Sequence, residues 1–263
     1  ITKAMQMVEA SKLRRTQAAA NAPRDYTQAA RELLDRLSAE TLARLHPLFR
    51  SRPVKRALTI VIAGDRGMAG AYNSNALKAL GLHVGAIKAQ HSAICIGRRA
   101  AMQVSRASDI DEIASYEIDS GDANVAIARP VLEKALDLFL TGKVDSIYLI
   151  YTRFESMVKQ EVQVRQLVPV PTRNNASGPL EYEPEPEELV EYAVRRVLEA
   201  DLTQAILESR ASENAARMVA MMNATDNADD LIGDYTLVLN NVRQATITQE
   251  IAEISGGADA IMQ

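Results

Sequence analysis

The segment Gly64-Asp-Arg-Gly67-Met-Ala-Gly70 has the residue types and spacing of a ligand loop. It follows a β-branched run and precedes a helix that should begin near Tyr72. Glycines in such a place let backbone N–H groups converge on an anion at a helix N-terminus, the chemistry of a phosphate cradle. The spacing departs from the dinucleotide fingerprint. The Lys-Ser/Thr pair that a nucleotide loop uses for phosphate and Mg²⁺ is also missing, because Tyr72 and Asn73 stand in its neighbourhood. A structural turn or a partner-contact loop competes with the anion-site reading. Other chemistry is thin. His46, His83 and His91 are scattered and Cys95 is alone, so no ligand set has metal spacing and no Ser-His-acid set can be assembled. The run Glu181-Tyr-Glu-Pro-Glu-Pro186 reads as a solvated linker, and Met218, Met221 and Met222 as packing residues on a helix. No catalytic residue, cofactor or metal is expected in this chain.

The elements that must carry these residues are mostly helical. The chain has 263 residues, 47% of them hydrophobic but only 4% aromatic, with no Trp, which favours Ala/Leu/Val-rich helix packing. No stretch approaches the roughly 18 apolar residues of a membrane span, and no signal-peptide pattern is present. The single cysteine excludes an internal disulfide and fits a reducing compartment. Charge is unevenly spread. Residues 1–56 hold 12 Lys/Arg against 5 Asp/Glu, whereas residues 181–263 hold 5 against 17. The two ends could attract each other or face differently charged partners; solvated helix faces are the plain alternative.

Residues 1–50 lack Gly and repeat apolar positions at helical spacing, as in the stripe Ala30, Leu34, Leu37, Thr41, Leu45 and Leu48. Pro23 should kink or break this helix, which must end near Pro47 or Pro53. The period then shortens. Ala57–Ala63, Ala93–Gly97 and Ser146–Thr152 read as buried strands, and Glu161–Val170 as a further strand at an edge, its alternation slipping once. Val125–Leu140 reads as a helix with Pro130 as its blemish. Alternating strands and helices imply an open, Rossmann-like α/β domain. Residues 171–186 form a connector with Pro171, Asn174, Asn175, Gly178, Pro179 and Pro184, and Pro186 opens a helix.

From Glu187 to Ile261 there is no proline, so a single helix here would span roughly 110 Å at about 1.5 Å per residue. Leu198, Leu202, Ala205, Ser209, Ser212, Ala216 and Val219 form one seam, small enough for close approach. Leu231, Tyr235, Val238, Val242 and Ala245 form a second. Ile247, Ile251, Ile254, Ala258 and Ile261 form a third, out of phase with the second. The inferred fold is α/β: a long antiparallel coiled coil of the N- and C-terminal helices with an inserted Rossmann-like open α/β domain. Its expected parts are 1–53, the N-terminal helix; 54–180, the α/β domain; and 181–263, the linker and long C-terminal helix.

Several blocks resemble one family. Asn240-Asn-Val-Arg-Gln-Ala-Thr-Ile-Thr-Gln-Glu-Ile-Ala-Glu-Ile-Ser-Gly-Gly-Ala258 is similar to the C-terminal signature of F-type ATP synthase γ subunits, which pairs an Ile-Thr-x-Glu run with a following Gly-Ala. Ile1-Thr-Lys-Ala-Met-Gln-Met-Val-Glu-Ala-Ser-Lys-Leu-Arg-Arg15 resembles the family's N-terminal helix. Gly64–Asn75 resembles the loop after its first central strand. Tyr151–Val158 and Ser212–Leu231 resemble further blocks, in the family's order. Residues 76–120 match poorly. The resemblance places the family's usual start several turns before Ile1, and the chain has no insertion with paired cysteines of the chloroplast kind.

The resemblance implies a rotary central-stalk subunit without catalytic residues of its own. Its expected partners are a hexameric ring of α and β subunits around the coiled coil, with the ε subunit and the c-ring at the α/β domain. It implies no nucleic acid partner and no direct membrane insertion, and a peripheral place at the cytoplasmic face of the plasma membrane in a bacterium. Arg243 and Gln244 should contact a loop of β, with Thr248 and Glu250 close by. Met5 falls in the family's rotor–stator segment, and Lys12 belongs to the basic face that should meet acidic levers on β. The competing reading is an enzyme that uses the Gly64–Gly70 loop, its long helices serving only for oligomerisation.

Overall fold

Strand β1 (Arg56–Ile62) is buried from Ala57 onward, which is why it reads as a continuous apolar run rather than an alternating one. The structure, a computed structural model, describes residues 1–39, 46–117, 124–171 and 186–261. The expected stripe positions Thr41 and Leu45 and the connector residues Asn174 to Pro184 lie outside the described residues, as do the side chains of Leu37, Ala258 and Ile261. Among the described residues β1 sits near the middle of a five-stranded sheet of order β3-β2-β1-β4-β5. The others are β2 (Gln90–Ile96), β3 (Ile110–Tyr116), β4 (Ser146–Phe154) and β5 (Gln160–Val168). The first four are mutually parallel and β5 runs antiparallel at the edge.

The two edge strands differ in how they show in the sequence. β5 is the expected edge strand, and the slip in its alternation is a register shift opposite Ile147 and Tyr148, where Leu167 is the extra residue. No sequence signal marks β3. Its residues Ile110-Asp-Glu-Ile-Ala-Ser-Tyr are half-buried or exposed at the opposite edge, so the apolar run that betrays the other strands is absent.

Helices cover both faces. On one side α3 (Tyr72–Ala86) and α4 (Arg98–Val104) pack Leu80, Ala100 and Val104 onto Val61, Ala93, Cys95 and Ile150. Burial pushes the Cys95 thiol up to about 12, so it is a packing residue and not a nucleophile. On the other side α5 (Ala128–Leu140) and the long α6 (Pro186–Ile261) pack Val131, Leu136, Val197, Leu202 and Ile206 onto Leu58, Ile60, Ile96 and Leu149. Pro130 falls in the first turn of α5, where a missing N–H costs no helical bond. Pro23 divides the N-terminal run into α1 (Thr2–Asn21) and α2 (Arg24–Ala39).

Helix α6 has 76 residues, about 114 Å of continuous helix. Helix α1 runs antiparallel to it. Thr2 meets Thr225 at 2.9 Å between hydroxyls, Thr16 meets Asn214 at 3.3 Å, and Gln204 Nε2 donates to Ala20 O at 2.9 Å. Leu13, Ala20, Ala211, Ala215 and Met218 fill the seam between them. Ser209 and Ser212 serve another purpose. β4 runs on past Ile150, the last residue paired with β1, and the two hydroxyls supply partners for the Thr152 backbone. Ser209 Oγ accepts from its N–H at 3.1 Å and Ser212 Oγ donates to its C=O at 3.2 Å. The small residues therefore admit a strand end as well as a helix.

Asp145 ties β4 to β1 at the other end of the sheet. Its carboxylate accepts from the N–H groups of Lys55 at 3.0 Å and Arg56 at 2.9 Å, with Arg52 Nε 3.2 Å away. Burial pushes this carboxyl up, but the two backbone donors and the arginines outweigh it and hold it below its ordinary value. A depressed folded-state value gives stability that is complete above the unfolded-state value of about 3.9 and is lost as pH falls through the folded one. Asp145→Ala is therefore expected to cost about 2–4 kcal/mol in urea unfolding at pH 7. That difference should shrink as the pH drops below about 4. A difference that stays constant down to acid would sink this account.

Candidate functional site

In an open parallel sheet, ligands bind where the strand order reverses, beyond the carboxyl ends of the two central strands. Here that point lies between β1 and β4, and the Gly64–Gly70 loop leaves from it. Helix α6 fills the place. A Cβ built on Gly64 would lie 2.6 Å from Glu213 Oε1, so only glycine admits the carboxylate this close. Arg217 Nε donates to Gly67 O at 3.3 Å. Gly64 N–H itself donates to Asn73 Oδ1 at 2.8 Å, and Asn73 Nδ2 returns to Arg66 O at 3.2 Å. Tyr72 is buried beneath the loop, its hydroxyl bonded to Ser209, and burial pushes its phenol far above the ordinary range. Behind the loop, Gly97 has φ +101°, and a Cβ there would lie 2.0 Å from Ala63 O, so the β1 and β2 exits are pressed together. An incoming phosphate would meet a carboxylate where a cradle offers N–H groups. The Gly64–Gly70 segment is a socket for α6.

The same carboxylate belongs to an ion cluster that sequence reasoning missed. Arg217, with a side chain only 6% exposed, pairs with Glu213 one turn back and with Glu9 Oε2 of α1 at 3.4 Å. Lys12 Nζ lies 2.9 Å from Glu9 Oε1. One guanidinium thus joins α1, α6 and the exit of β1. The i,i+4 spacing of Glu213 and Arg217 is visible in the sequence; the approach of Glu9 across 208 positions is not.

Two further pairs realise the charge split between the chain's ends. Arg24 Nη2 lies 3.5 Å from Glu208 Oε1, and Arg31 pairs with Asp201. Two arginines of α2 are thus held to the acidic α6.

Thr2, in the first turn of α1, lies beside Thr225 of α6. From Asp229 to Ser255 every residue of α6 is exposed, and the apolar Leu231, Tyr235, Val238 and Val242 are 55–71% exposed. At 100° per residue the Leu231–Val242 stripe and the Ile247–Ile254 stripe lie on nearly opposite sides of the helix.

Arg243, Gln244, Thr248 and Glu250 are all exposed on this outer half. Arg243 and Glu250, two turns apart, share one face; Gln244 and Thr248, one turn apart, share another, with Thr248 Oγ1 donating to Gln244 O at 2.8 Å. Arg243 is the sole Lys or Arg after Arg217, among seven Asp and Glu from Asp226 onward. Met5 and Lys12 are half-buried on α1, at the level of α6 where Arg217 and Thr225 lie. That level is roughly 30–40 Å along the axis from Arg243, so the six positions form two separate regions. Among the described residues no group of His, Cys, Asp and Glu could hold a metal ion, and no helix is long and apolar enough to cross a membrane.

A family model described as ATP synthase matches residues 1–261. The chain is 39% identical to the ATP synthase gamma chain of Brevibacillus brevis, over 99% of this chain and 92% of that one. It is 36% identical to that of Moorella thermoacetica, over 99% and 93%. Among solved structures, its fold is similar to a chain of the Tetrahymena thermophila mitochondrial ATP synthase central stalk and c-ring, with a TM-score of 0.67 at 23% identity, covering 86% of this chain and 99% of that one. A chain of the Euglena gracilis mitochondrial ATP synthase rotor gives the same TM-score at 20% identity, covering 94% and 92%.

Proposed function

The chain belongs to the ATP synthase gamma-chain family, and on that basis we propose that it is the rotary central-stalk subunit of an F-type ATP synthase. It couples ion-driven rotation of the c-ring to conformational change at catalytic sites on the β subunits, and its own residues do no chemistry. The observation that carries this reading is α6, one uninterrupted helix of 76 residues whose first half is anchored on the sheet and which runs on well beyond it. A helix that projects beyond its domain with apolar stripes on opposite sides suits a shaft packed by neighbours on more than one side. The units of the shaft are residues 1–53 and 181–263, and residues 54–180 form the base that meets the ε subunit and the c-ring. Arg243, Gln244, Thr248 and Glu250 meet β within the α and β ring, with Met5 and Lys12 at a lower level. The subunit works peripherally, on the cytoplasmic side of a bacterial plasma membrane.

The enzyme reading loses its site to Glu213 and Arg217, which occupy the only loop with phosphate-like spacing in the sequence. Co-expression with α and β subunits tests the assignment. The chain should co-purify in a complex that hydrolyses ATP, and alone it should bind no Mg-nucleotide. Saturable, Mg-dependent nucleotide binding by the isolated chain would overturn the shaft reading.

A further inference from the structure

A cleft of about 350 Å³ lies where α2 crosses the β4–β5 edge beside α6, and no residue of the Gly64–Gly70 loop lines it. Each element contributes one face to it. From α2 come Arg24, Thr27 and Arg31, at spacings that share a helix side; from β4 come Tyr151 and Arg153, alternate residues of one strand. Arg165 enters from β5, its guanidinium 5.8 Å from the Tyr151 ring centre, and Gln204 and Glu208 enter from α6, one turn apart.

Four guanidiniums therefore line the cleft, against Glu208 within it and Asp201 beside it. Arg24 donates to Phe154 O at 2.9 Å and approaches Glu208; Arg31 and Arg165 share Asp201. Arg153 makes no ion pair among the described residues. The pairing of Arg165 is incomplete: Nη2 lies 3.3 Å from Asp201 Oδ2, close enough for attraction but off-line for a hydrogen bond, and Nε has no acceptor. Two more polar atoms lack partners although they are almost fully enclosed. Thr27 is 2% exposed with Oγ1 unbonded, and Gln204 is 4% exposed with Oε1 unbonded. Gln204 Nε2 already donates to Ala20 O and Glu208 Oε1, both at 2.9 Å, which fixes the amide with its oxygen free.

Buried polar atoms left unbonded are costly, and Thr27, Arg165 and Gln204 gather such atoms around this one cleft. The unmet groups are guanidinium and hydroxyl donors together with one carbonyl acceptor. We propose that this cleft is a binding site for a protonated tetrahedral oxyanion of the hydrogen phosphate class. Its charged oxygens accept from Arg153, Arg165 and Thr27, and its hydroxyl donates to Gln204 Oε1. Sulfate matches the shape but carries no proton at neutral pH and leaves Gln204 unmet. The cleft has room beyond one phosphate group, so the ligand is either the free ion or a small phosphomonoester.

Calorimetric titration of the full chain with sodium phosphate, sodium sulfate, glycerol 3-phosphate and sodium chloride at matched ionic strength tests this. Phosphate is expected to bind saturably at one site, about tenfold more tightly than sulfate, from one additional buried hydrogen bond. Glycerol 3-phosphate binding tighter than phosphate identifies the monoester as the form held; weaker binding identifies the free ion. Thr27→Val, nearly isosteric, and Arg153→Gln, at an exposed side chain, should each weaken phosphate by about tenfold or more. Circular dichroism melting without added anion verifies that both variants fold. Heats no larger than those of chloride, sulfate as tight as phosphate, or two folded variants that bind like the parent would each overturn the proposal. Because the titration uses this chain alone, its outcome is independent of assembly with α and β.

Discussion

Arg217→Leu is expected to lower the unfolding free energy by about 3–5 kcal/mol, the range for removing one partner of a buried ion pair. The substitution leaves the carboxylates of Glu213 and Glu9, 14% and 7% exposed, without their shared counterion, and it frees Gly67 O. Lys12 still faces Glu9, so the larger share of the penalty falls on Glu213, which Gly64 holds against the exit of β1. Arg217→Lys should recover only part of the loss, because one ammonium lacks the fork that reaches α1, α6 and the loop together. A triple variant with Arg217→Leu, Glu213→Leu and Glu9→Leu should be more stable than Arg217→Leu alone, since it removes the orphaned charges. Urea unfolding by far-UV circular dichroism measures all three. A loss below about 1 kcal/mol for Arg217→Leu would mean that the cluster is solvated and does not bind the shaft to the sheet.

Arg243→Ala combined with Gln244→Ala should have the opposite profile. Both side chains are exposed and neither touches the core, so unfolding should change by no more than about 0.5 kcal/mol. In the assembled complex the pair removes the one cation of the outer helix and an adjacent amide. Charge-assisted hydrogen bonds are worth about 1.5–3 kcal/mol, so coupled ATP synthesis or ATP-driven torque should fall by about tenfold or more. Coupling equal to that of the parent would remove these two residues from the contact with β. Measured on one pair of preparations, the two results separate a residue that holds the subunit together from one that works on its partner.

Much of the architecture was legible because it depends on local patterns. Val61, Ile94 and Leu149 lie in runs whose apolar, β-branched character marks buried parallel strands, and the absence of proline after Pro186 permits 76 residues of helix. Pro23 marks the break between α1 and α2. Edge strand β3 was not legible, since half-exposed residues such as Asp111 and Glu112 carry no burial signal. The seams at Leu198, Leu231 and Ile247 look alike on paper, yet only folding puts Leu198 and Leu202 against the sheet as well as in a helix seam.

The Gly64–Gly70 loop shows the boundary most clearly. Its residues alone establish that a glycine-rich turn follows a central strand and that the phosphate-binding Lys-Ser/Thr pair is missing. Backbone freedom and side-chain inventory are local properties, and the family resemblance is likewise written in the order of residues. What the glycines are for is settled only when the chain has folded. Glu213 and Arg217 reach the loop from about 150 positions away along the chain, and Glu9 joins them from the other end. Such meetings depend on how helices cross a sheet, which no spacing within a segment encodes. A carboxylate held 2.6 Å from the site of an absent Cβ makes the loop a socket for the shaft, where local pattern leaves open a cradle for an anion.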